Sequence, residues 1–306
     1  MLPRALELFD LAKLPRYRDK VLILDSRRAL THGNPLRAAS FLAYLNPTRR
    51  IYTGIVENGN EEILGGVVQD AEEHFARLAY LAPADISTDS PLALIEHLTK
   101  QAGAWKAHQL VAEIEEDNPL FQSLRQCGFS VYSRQRIWEL SYINHIPDFP
   151  YLWRKKEDQD LISIQNLQRE LVPPILQQVE RFTASSAGMI IQGEKLSTYV
   201  DITDGPRGIY LRPLIHPNAE HLLENLFHLL ANFPNRRARA VYICVRSHHA
   251  WIEPILEDFG ARPTQLKTVM VKHLVNKSRE EKTLPAGAEN AWANPAATIK
   301  RLDTGE

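Results

Sequence analysis

The chain has 306 residues, of which 44% are hydrophobic and 24% are charged, a composition typical of a globular protein. Its 36 Lys and Arg residues against 37 Asp and Glu residues give a net charge of −1, so no overall field attracts nucleic acid or an anionic membrane. Two cysteines, Cys127 and Cys244, argue against a disulfide scaffold and against a thiolate metal site.

The N-terminal segment, residues 1–20, mixes leucines with charged residues and has no uncharged stretch of the kind a secretory signal needs. No apolar run approaches the roughly 20 residues needed to cross a bilayer. We therefore expect a cytoplasmic protein with no membrane partner and no nucleic-acid partner. The oligomeric state stays open.

The first predicted elements are strands. Residues 50–56 and 63–68 form a predicted hairpin around a turn at 58–60, and residues 75–81 form a further strand. A helix follows, with Ser90 as its N-cap and Pro91 at its first position. Its apolar stripe consists of Leu94, Ile95, Leu98 and Ala102.

A strand, a short helix and another strand end the first half. Residues 109–114 and 136–140 are the predicted strands, and Asn118 caps the helix between them. Gly128 stands just after the helix, where the left-handed conformation favours glycine. Cys127 lies on the apolar stripe of this helix, so we interpret it as a packing residue rather than a nucleophile.

The same order of elements returns in the second half. Residues 208–215 and 240–245 are predicted strands, separated by a helix with a leucine stripe over 222–230. Pro254 must lie in the first turn of the next helix, because deeper in that helix it would remove a backbone hydrogen bond.

A constant offset relates the two halves. Leu124 and Gly128 correspond to Leu256 and Gly260, each 132 residues later. Two copies are too few for a solenoid, which needs about three repeats to close a core, so the repeat predicts a tandem pair of domains. The predicted boundaries are 1–143 for the first domain, 144–150 for a linker, 151–275 for the second domain, and 276–306 for a polar, disordered tail.

Each half resembles the GNAT superfamily of acyl-CoA-dependent N-acyltransferases in its order of three strands, helix, strand, helix and strand. The resemblance is strongest at residues 118–129, which end in Cys-Gly-Phe, and at their counterpart, residues 251–260. It implies an α/β (α+β) fold of two tandem GNAT-like domains, each a mixed, mainly antiparallel sheet flanked by helices.

The resemblance also implies acetyl-CoA as a co-substrate, with its pantetheine on strand 75–82 or 208–215 and its pyrophosphate on the following loop. Neither loop has the family's glycines. The first loop carries Asp85 and Asp89, which oppose an anion, whereas the second offers charged donors, so we expect the second domain to bind the cofactor. The implied cofactor contacts are Arg212, Leu214, His216 and Asn218, together with Tyr80 on the first-domain strand.

The catalytic groups depart from the family pattern. The family's general acid is a Tyr four residues before the glycine, and this position holds Leu124 or Leu256, neither of which can transfer a proton. Glu113 and Glu115 alternate at the end of the strand that begins at residue 109, so both face one side. They are the candidates to hold or deprotonate an amine, although a solvated strand face explains them equally well. The histidines lack the spacing of metal ligands, so no metal site is expected.

The leading hypothesis is an N-acyltransferase that moves an acetyl or other acyl group from acyl-CoA directly to the primary amine of a small molecule or a protein. The alternative is a non-catalytic GNAT-like module whose degenerate CoA sites bind a ligand or partner. The missing glycines favour the alternative, and the retained domain architecture favours transfer.

Overall fold

The computed structural model describes residues 2–37, 49–58, 61–71, 73–85, 90–140, 149–180, 182–183, 186–192, 196–233 and 239–274. The predicted tail, most of the predicted linker, the hairpin turn at 59–60 and Asp89 lie outside these residues. No helix within the described ranges is long and apolar enough to cross a membrane.

The elements of the first half follow the predicted order. Its strands are β1 (Arg4–Ala5), β2 (Leu22–Ile23), β3 (Arg49–Asn58), β4 (Glu61–Asp70), β5 (Phe75–Ala82), β6 (Gln109–Ile114) and β7 (Ser130–Leu140). Its helices are α1 (Ser26–His32), α2 (Ser90–Ala104) and α3 (Leu120–Gln126), preceded by a 3₁₀ helix over Leu8–Tyr17.

The second half repeats most of this order. Its strands are β8 (Trp153–Lys155), β9 (Ala187–Gln192), β10 (Leu196–Asp204), β11 (Gly208–Ile215), β12 (Ala240–Arg246), β13 (Arg262–Pro263) and β14 (Lys267–His273). Its helices are α4 (Leu161–Leu171), α5 (Pro174–Gln177), α6 (Leu222–Ala231) and α7 (Glu253–Asp258), with 3₁₀ helices over Asp158–Asp160 and Ser247–Ile252.

All these strands belong to one sheet. Its order is β1-β3-β4-β5-β6-β14-β7-β12-β11-β10-β9-β8, with β2 beside β5 and β13 beside β7. Among the described strands, only β5 with β6 and β11 with β12 run parallel. The predicted mixed, mainly antiparallel sheet with flanking helices is confirmed.

The last strand of each half, β7 or β14, lies beside a strand of the other half. β14 pairs with β6, with Val271 opposite Val111, and β7 pairs with β12, with Ile137 opposite Cys244. β14 and β7 also pair with each other at the centre of the sheet. The two halves therefore exchange strands symmetrically and share one continuous hydrogen-bonded sheet.

The predicted repeat is confirmed where α3 and α7 end. Gly128 and Gly260 adopt φ values of 84° and 81°. In the first half the Phe129 N–H donates to the Leu124 carbonyl at 3.1 Å, and the equivalent bond in the second half reaches Leu256 at 2.9 Å. Both helices thus end in the same six-to-one hydrogen bond, which requires a left-handed residue that glycine supplies without strain.

A second repeat appears at the start of each half. Arg4 forms an ion pair with Asp10 at 2.6 Å, and Arg154 forms one with Asp160 at 2.7 Å. Each aspartate also closes a capping box with a glutamate three residues earlier. These equivalent residues are 150 positions apart rather than 132, so the first half contains extra residues after its capping box.

The core of the first half explains the position of Cys127. Its thiol packs with Leu120 and Leu124 in a buried cluster, and the residue is 6% exposed. Burial raises the pKa of the Cys127 thiol, which keeps it protonated and unreactive. The interpretation of Cys127 as a packing residue is confirmed at the level of burial.

Candidate functional site

Each half contains a parallel strand pair that separates partway along its length. β5 and β6 pair up to Arg77 opposite Val111, and β11 and β12 pair up to Leu211 opposite Ile243. We call the gap between 78–82 and 112–114 the first splay, and the gap between 212–215 and 244–246 the second splay. Backbone groups along such a gap need partners, so a splay is the place where the fold can take up a ligand.

The chain itself fills the first splay with the segment Leu22–Ser26. The Leu24 N–H donates to the Ala79 carbonyl at 3.0 Å, and the Leu24 carbonyl accepts from the Glu113 N–H at 2.9 Å. Leu22 pairs with Leu81 in antiparallel register. The segment therefore joins β5 to β6 as an additional strand and occupies the backbone groups at which the resemblance places a pantetheine.

The segment lies in the interval over which the first half is longer than the second. Arg77 and Leu211 are equivalent by register and 134 positions apart, against 150 at the capping boxes, so the excess is 16 residues. Leu22–Ser26 falls inside this interval. The apolar run between Lys20 and Asp25 is typical of a strand. Its partner strand lies more than 50 residues away, so the sequence does not show the pairing.

The two candidate carboxylates lie near the first splay. Glu113 is 2% exposed, and its Oε2 accepts from the Ser26 N–H at 2.9 Å, at the start of α1. Glu115 lies just beyond β6, and the amide of Gln265 stands 2.8 Å from its Oε1. Although both lie on one side of the chain, the structure gives them different partners.

Tyr80 lies on β5 in a buried cluster with Leu14, Leu36 and Ile55. Its hydroxyl is 3.1 Å from the Thr53 hydroxyl, and burial raises its pKa to about 12. Tyr80 is therefore a neutral core side chain whose single polar atom has a partner.

The second splay has a different backbone edge. The His216 N–H donates to the Ser197 carbonyl, and the Gly208 carbonyl accepts from the Gly205 N–H. The backbone N–H and C=O groups of the even-numbered residues of β11 therefore point toward β10, and those of the odd-numbered residues point toward the splay. Pro213 and Ile215 consequently face the splay. Since proline has no N–H, Ile215 presents the donor on this edge. Pro213 is equivalent to Ala79, whose carbonyl accepts from the Leu24 N–H in the first half.

Arg212 and Leu214 project from β11 toward the α4 side of the sheet. Arg212 Nη2 lies 3.0 Å from Asp201 Oδ2, and its guanidinium stacks over Phe182 at 4.4 Å from the ring centroid. Leu214 is 1% exposed in an apolar cluster with Ile164. Both side chains therefore have protein partners on one face of the sheet.

His216 and Asn218 lie on the loop before α6. His216 Nε2 is 3.3 Å from Glu170 Oε1, and its Nδ1 accepts from the Asn218 N–H at 3.1 Å. His221 precedes α6 in the left-handed region, with φ 53°, and makes no side-chain cap. The first N–H groups of α6 thus lack the side-chain acceptor that a serine or aspartate cap would provide.

His249 follows β12 and lies beside Ile215 at the second splay. It is 3% exposed, its ring hydrogen-bonds to the Ile215 backbone, and its Nε2 is buried without a partner. Burial and then His248 lower its pKa to about 4, so the imidazole is neutral at pH 7. The unpaired Nε2 can accept a hydrogen bond, but the low pKa makes this imidazole a poor proton acceptor at pH 7.

The structure also describes the positions of the expected general acid and the histidines that were weighed as metal ligands. Leu124 and Leu256 are both fully buried, at the positions of the family's general acid. Over the described part of the chain, no group of three or more His, Cys, Asp or Glu side chains is placed to hold a metal ion.

Comparison with known proteins connects this geometry to a fold. No protein-family model and no curated protein matches the sequence. A tandem GNAT protein from the clavulanic acid biosynthesis pathway is similar in structure, with a TM-score of 0.50 and 12% identity, covering 89% of this chain and 97% of that chain.

Two further solved structures align with similar fractions of this chain. A GCN5-related N-acetyltransferase from Sphaerobacter thermophilus has a TM-score of 0.50 and 12% identity, over 89% of this chain and 95% of its own. A Drosophila protein has a TM-score of 0.51 and 14% identity, over 90% of this chain and 99% of its own. The chain has a duplicated GNAT-like fold, and at these identities the likeness establishes the fold alone.

Proposed function

We propose that the chain is an acyl-CoA-dependent N-acyltransferase in which only the second splay receives the acyl-CoA. The observation that carries the proposal is the difference between the splays. Leu22–Ser26 fills the first, whereas no described strand pairs with β11 on its β12 side beyond Leu211. The Ile215 N–H faces this open edge and can donate to the pantetheine or to the thioester carbonyl.

The proposed reaction is direct transfer to a primary amine. The amine nitrogen attacks the thioester carbonyl carbon, a C–N bond forms, the C–S bond breaks, and CoA leaves as a thiolate. Water accepts the amine proton, because Glu113 and Glu115 lie at the first splay and the pKa of His249, about 4, makes its buried Nε2 a weak base. Solvent protonates the thiolate, because Leu256 cannot, and a missing general acid costs about 10²–10⁴-fold in rate.

The pyrophosphate of the acyl-CoA would lie at the start of α6, near Asn218. A calorimetric titration with acetyl-CoA tests the proposal, with an expected dissociation constant in the micromolar range, about −8 kcal/mol. Asn218 is exposed, so Asn218→Asp adds a negative charge without disturbing the core and should weaken binding by about threefold to tenfold at low salt.

Asp85→Asn is the matched control, because Asp85 is exposed on the corresponding loop of the first half. It should leave the affinity for acetyl-CoA unchanged. If Asp85→Asn strengthens binding while Asn218→Asp has no effect, the site lies in the first half. A titration without heat at about 1 mM acetyl-CoA excludes the acyltransferase.

A second candidate function is a non-catalytic ligand-binding module with degenerate CoA sites. Pro213 favours it, because the proline removes a backbone donor at the position where Ala79 stands in the first half. The two candidates differ in turnover. Binding of acetyl-CoA without release of free CoA thiol in the presence of a panel of primary amines supports the module, and amine-dependent release supports the enzyme.

A further inference from the structure

A cavity of about 500 Å³ lies between the two halves. Its volume is in the usual range for a small-molecule site. The first half contributes Arg27 from α1 and Arg49 and Asp70 from the ends of β3 and β4. The second half contributes Asp201 and Asp204 from β10 and Arg212 from β11.

The first-half wall carries an under-compensated cation. Arg49 Nε lies 3.0 Å from Asp70 Oδ1, but Asp70 is also paired with Arg27 at 3.4 Å and with Arg28 at 3.0 Å. One carboxylate offers about four acceptor positions, whereas each guanidinium has five N–H donors. Burial, and then the charge of Arg28, lower the pKa of Arg49. Arg49 is therefore a partly buried cation to which an additional anionic group would be attracted.

The second-half wall adds both a donor and carboxylates. Arg212 Nε is buried without a hydrogen-bond partner, although Nη2 of the same guanidinium binds Asp201. Asp201 accepts from the Arg212 guanidinium and from the Tyr199 hydroxyl, at 3.0 and 3.2 Å. Asp204 pairs with Arg239, and its side chain is 56% exposed. Guanidinium donors and carboxylate acceptors thus face the same cavity.

The balance of charge selects the class of ligand. The lining holds three arginines, Arg27, Arg49 and Arg212, against four carboxylates, Asp70, Glu73, Asp201 and Asp204. Arg28 and Arg239 lie outside the lining but pair with Asp70 and Asp204, so the site is close to balanced in charge, and a phosphate dianion would lie beside carboxylates as well as arginines. A molecule with both an anionic and a cationic group satisfies both, because each of its charges finds an opposite partner.

We propose that this cavity binds a small zwitterion of the free amino acid class, with its carboxylate on Arg49 and the Arg212 Nε and its ammonium group on the carboxylates of the second half. The proposal needs no acyl transfer, because it is based on the cavity and its charges.

The test is calorimetric titration of the full chain, without acyl-CoA, with L-alanine, L-glutamine, L-lysine and L-glutamate. These probes share the zwitterionic group and differ in their side chains. At least one should bind with a dissociation constant below about 1 mM. Propionate and ethylamine, which each carry one of the two charges of alanine, should bind at least about tenfold more weakly than the best amino acid.

Two substitutions locate the site. Arg49→Gln should weaken binding at least about tenfold, since it removes a charge-assisted hydrogen bond and leaves Asp70 with two arginines. Asp204→Asn, at an exposed position, should weaken binding by about threefold. Arg50→Gln is the matched control, because Arg50 neighbours Arg49 on β3 but is exposed and donates to the Trp105 carbonyl.

Several outcomes would overturn the proposal. No heat from any of the four amino acids at about 20 mM excludes a zwitterion site. Equal binding of propionate and alanine would show a simple anion site instead. If Arg49→Gln and Asp204→Asn keep their thermal unfolding midpoints and bind as the unchanged chain does, the ligand lies elsewhere.

Discussion

The two splays of this molecule are built from equivalent strands, but they differ in whether the chain itself pairs with their backbone groups. In the first, Leu22–Ser26 satisfies the backbone of both strands. In the second, no described segment does so, and Pro213 reduces the number of donors on the unpaired edge. The difference shows that a duplicated fold can fill one splay with its own chain and leave the equivalent splay without a backbone partner, although Pro213 leaves that second edge with one donor fewer.

The largest effect is expected from the filled splay. Leu24 is 1% exposed in the buried cluster that also contains Leu120 and Leu124, so Leu24→Ala should lower the free energy of unfolding by about 2–5 kcal/mol. Urea denaturation measures this change. Leu2→Ala, at a residue that is 92% exposed, is the control and should change stability by less than about 0.5 kcal/mol. A loss below about 1 kcal/mol for Leu24→Ala would mean that the segment is not packed in the splay.

The next effect concerns the buried imidazole of the open splay. His249 has a folded-state pKa of about 4 against an ordinary value of 6.5, so the unfolded chain binds the proton first. Stability should therefore fall as the pH is lowered from 6.5 to 4, by up to about 3 kcal/mol from this group. His32, whose pKa burial also lowers to about 4, acts in the same direction.

Denaturation curves of His249→Asn between pH 7 and pH 4 separate the two histidines. The acid-induced loss should shrink in this variant and persist in His108→Asn, because His108 is exposed. An unchanged pH dependence in His249→Asn would show that the imidazole titrates in the folded protein as it does in water.

A smaller effect is expected at the splay-facing proline. Pro213→Ala restores an N–H on the open edge and should tighten acetyl-CoA binding by about twofold to tenfold, the effect of one hydrogen bond. Pro263→Ala, at an exposed position on β13, serves as the control. Unaltered affinity in Pro213→Ala would place the acyl-CoA away from this edge.

No effect on ligand binding is expected at the cysteines. Cys127 and Cys244 are 6% and 1% exposed, and burial raises the pKa of both thiols. Neither should react with a thiol reagent within minutes in the folded protein, and both should react in urea. Cys127→Ala should keep the affinity for acetyl-CoA. Rapid labelling of the folded chain would contradict the burial of the thiols.

The parts of the fold that follow from local rules could be predicted from the sequence. Gly128 and Gly260 marked the helix ends, because a left-handed residue after a helix is a local requirement. The capping boxes escaped notice because their offset differs from that of the helix ends. The strand role of Leu22 and Ile23 escaped notice because it depends on a partner at Leu81.

The site was harder to predict than the fold. The side chains of Arg212 and His216 are suited to an anion site, but the sequence does not show that Asp201 and Glu170 pair with them. The donor lost at Pro213 could be recognised only once the register placed it on the splay-facing edge. Likewise, the charge balance of the cavity between the halves depends on residues more than 100 positions apart, which are brought together by the sheet.

The exchanged strands also determine when the first half can be completed during synthesis. β14 is the last described strand, and it lies between β6 and β7, which the ribosome finishes more than 120 residues earlier. Until β14 emerges, the facing edges of β6 and β7 have no strand between them, and open edges of this kind invite pairing with other chains. The contact between Val271 and Val111 has a long sequence separation, which slows folding. A nascent chain released before Lys267 would therefore be prone to aggregation, and a chaperone that shields strand edges would act on the growing polypeptide.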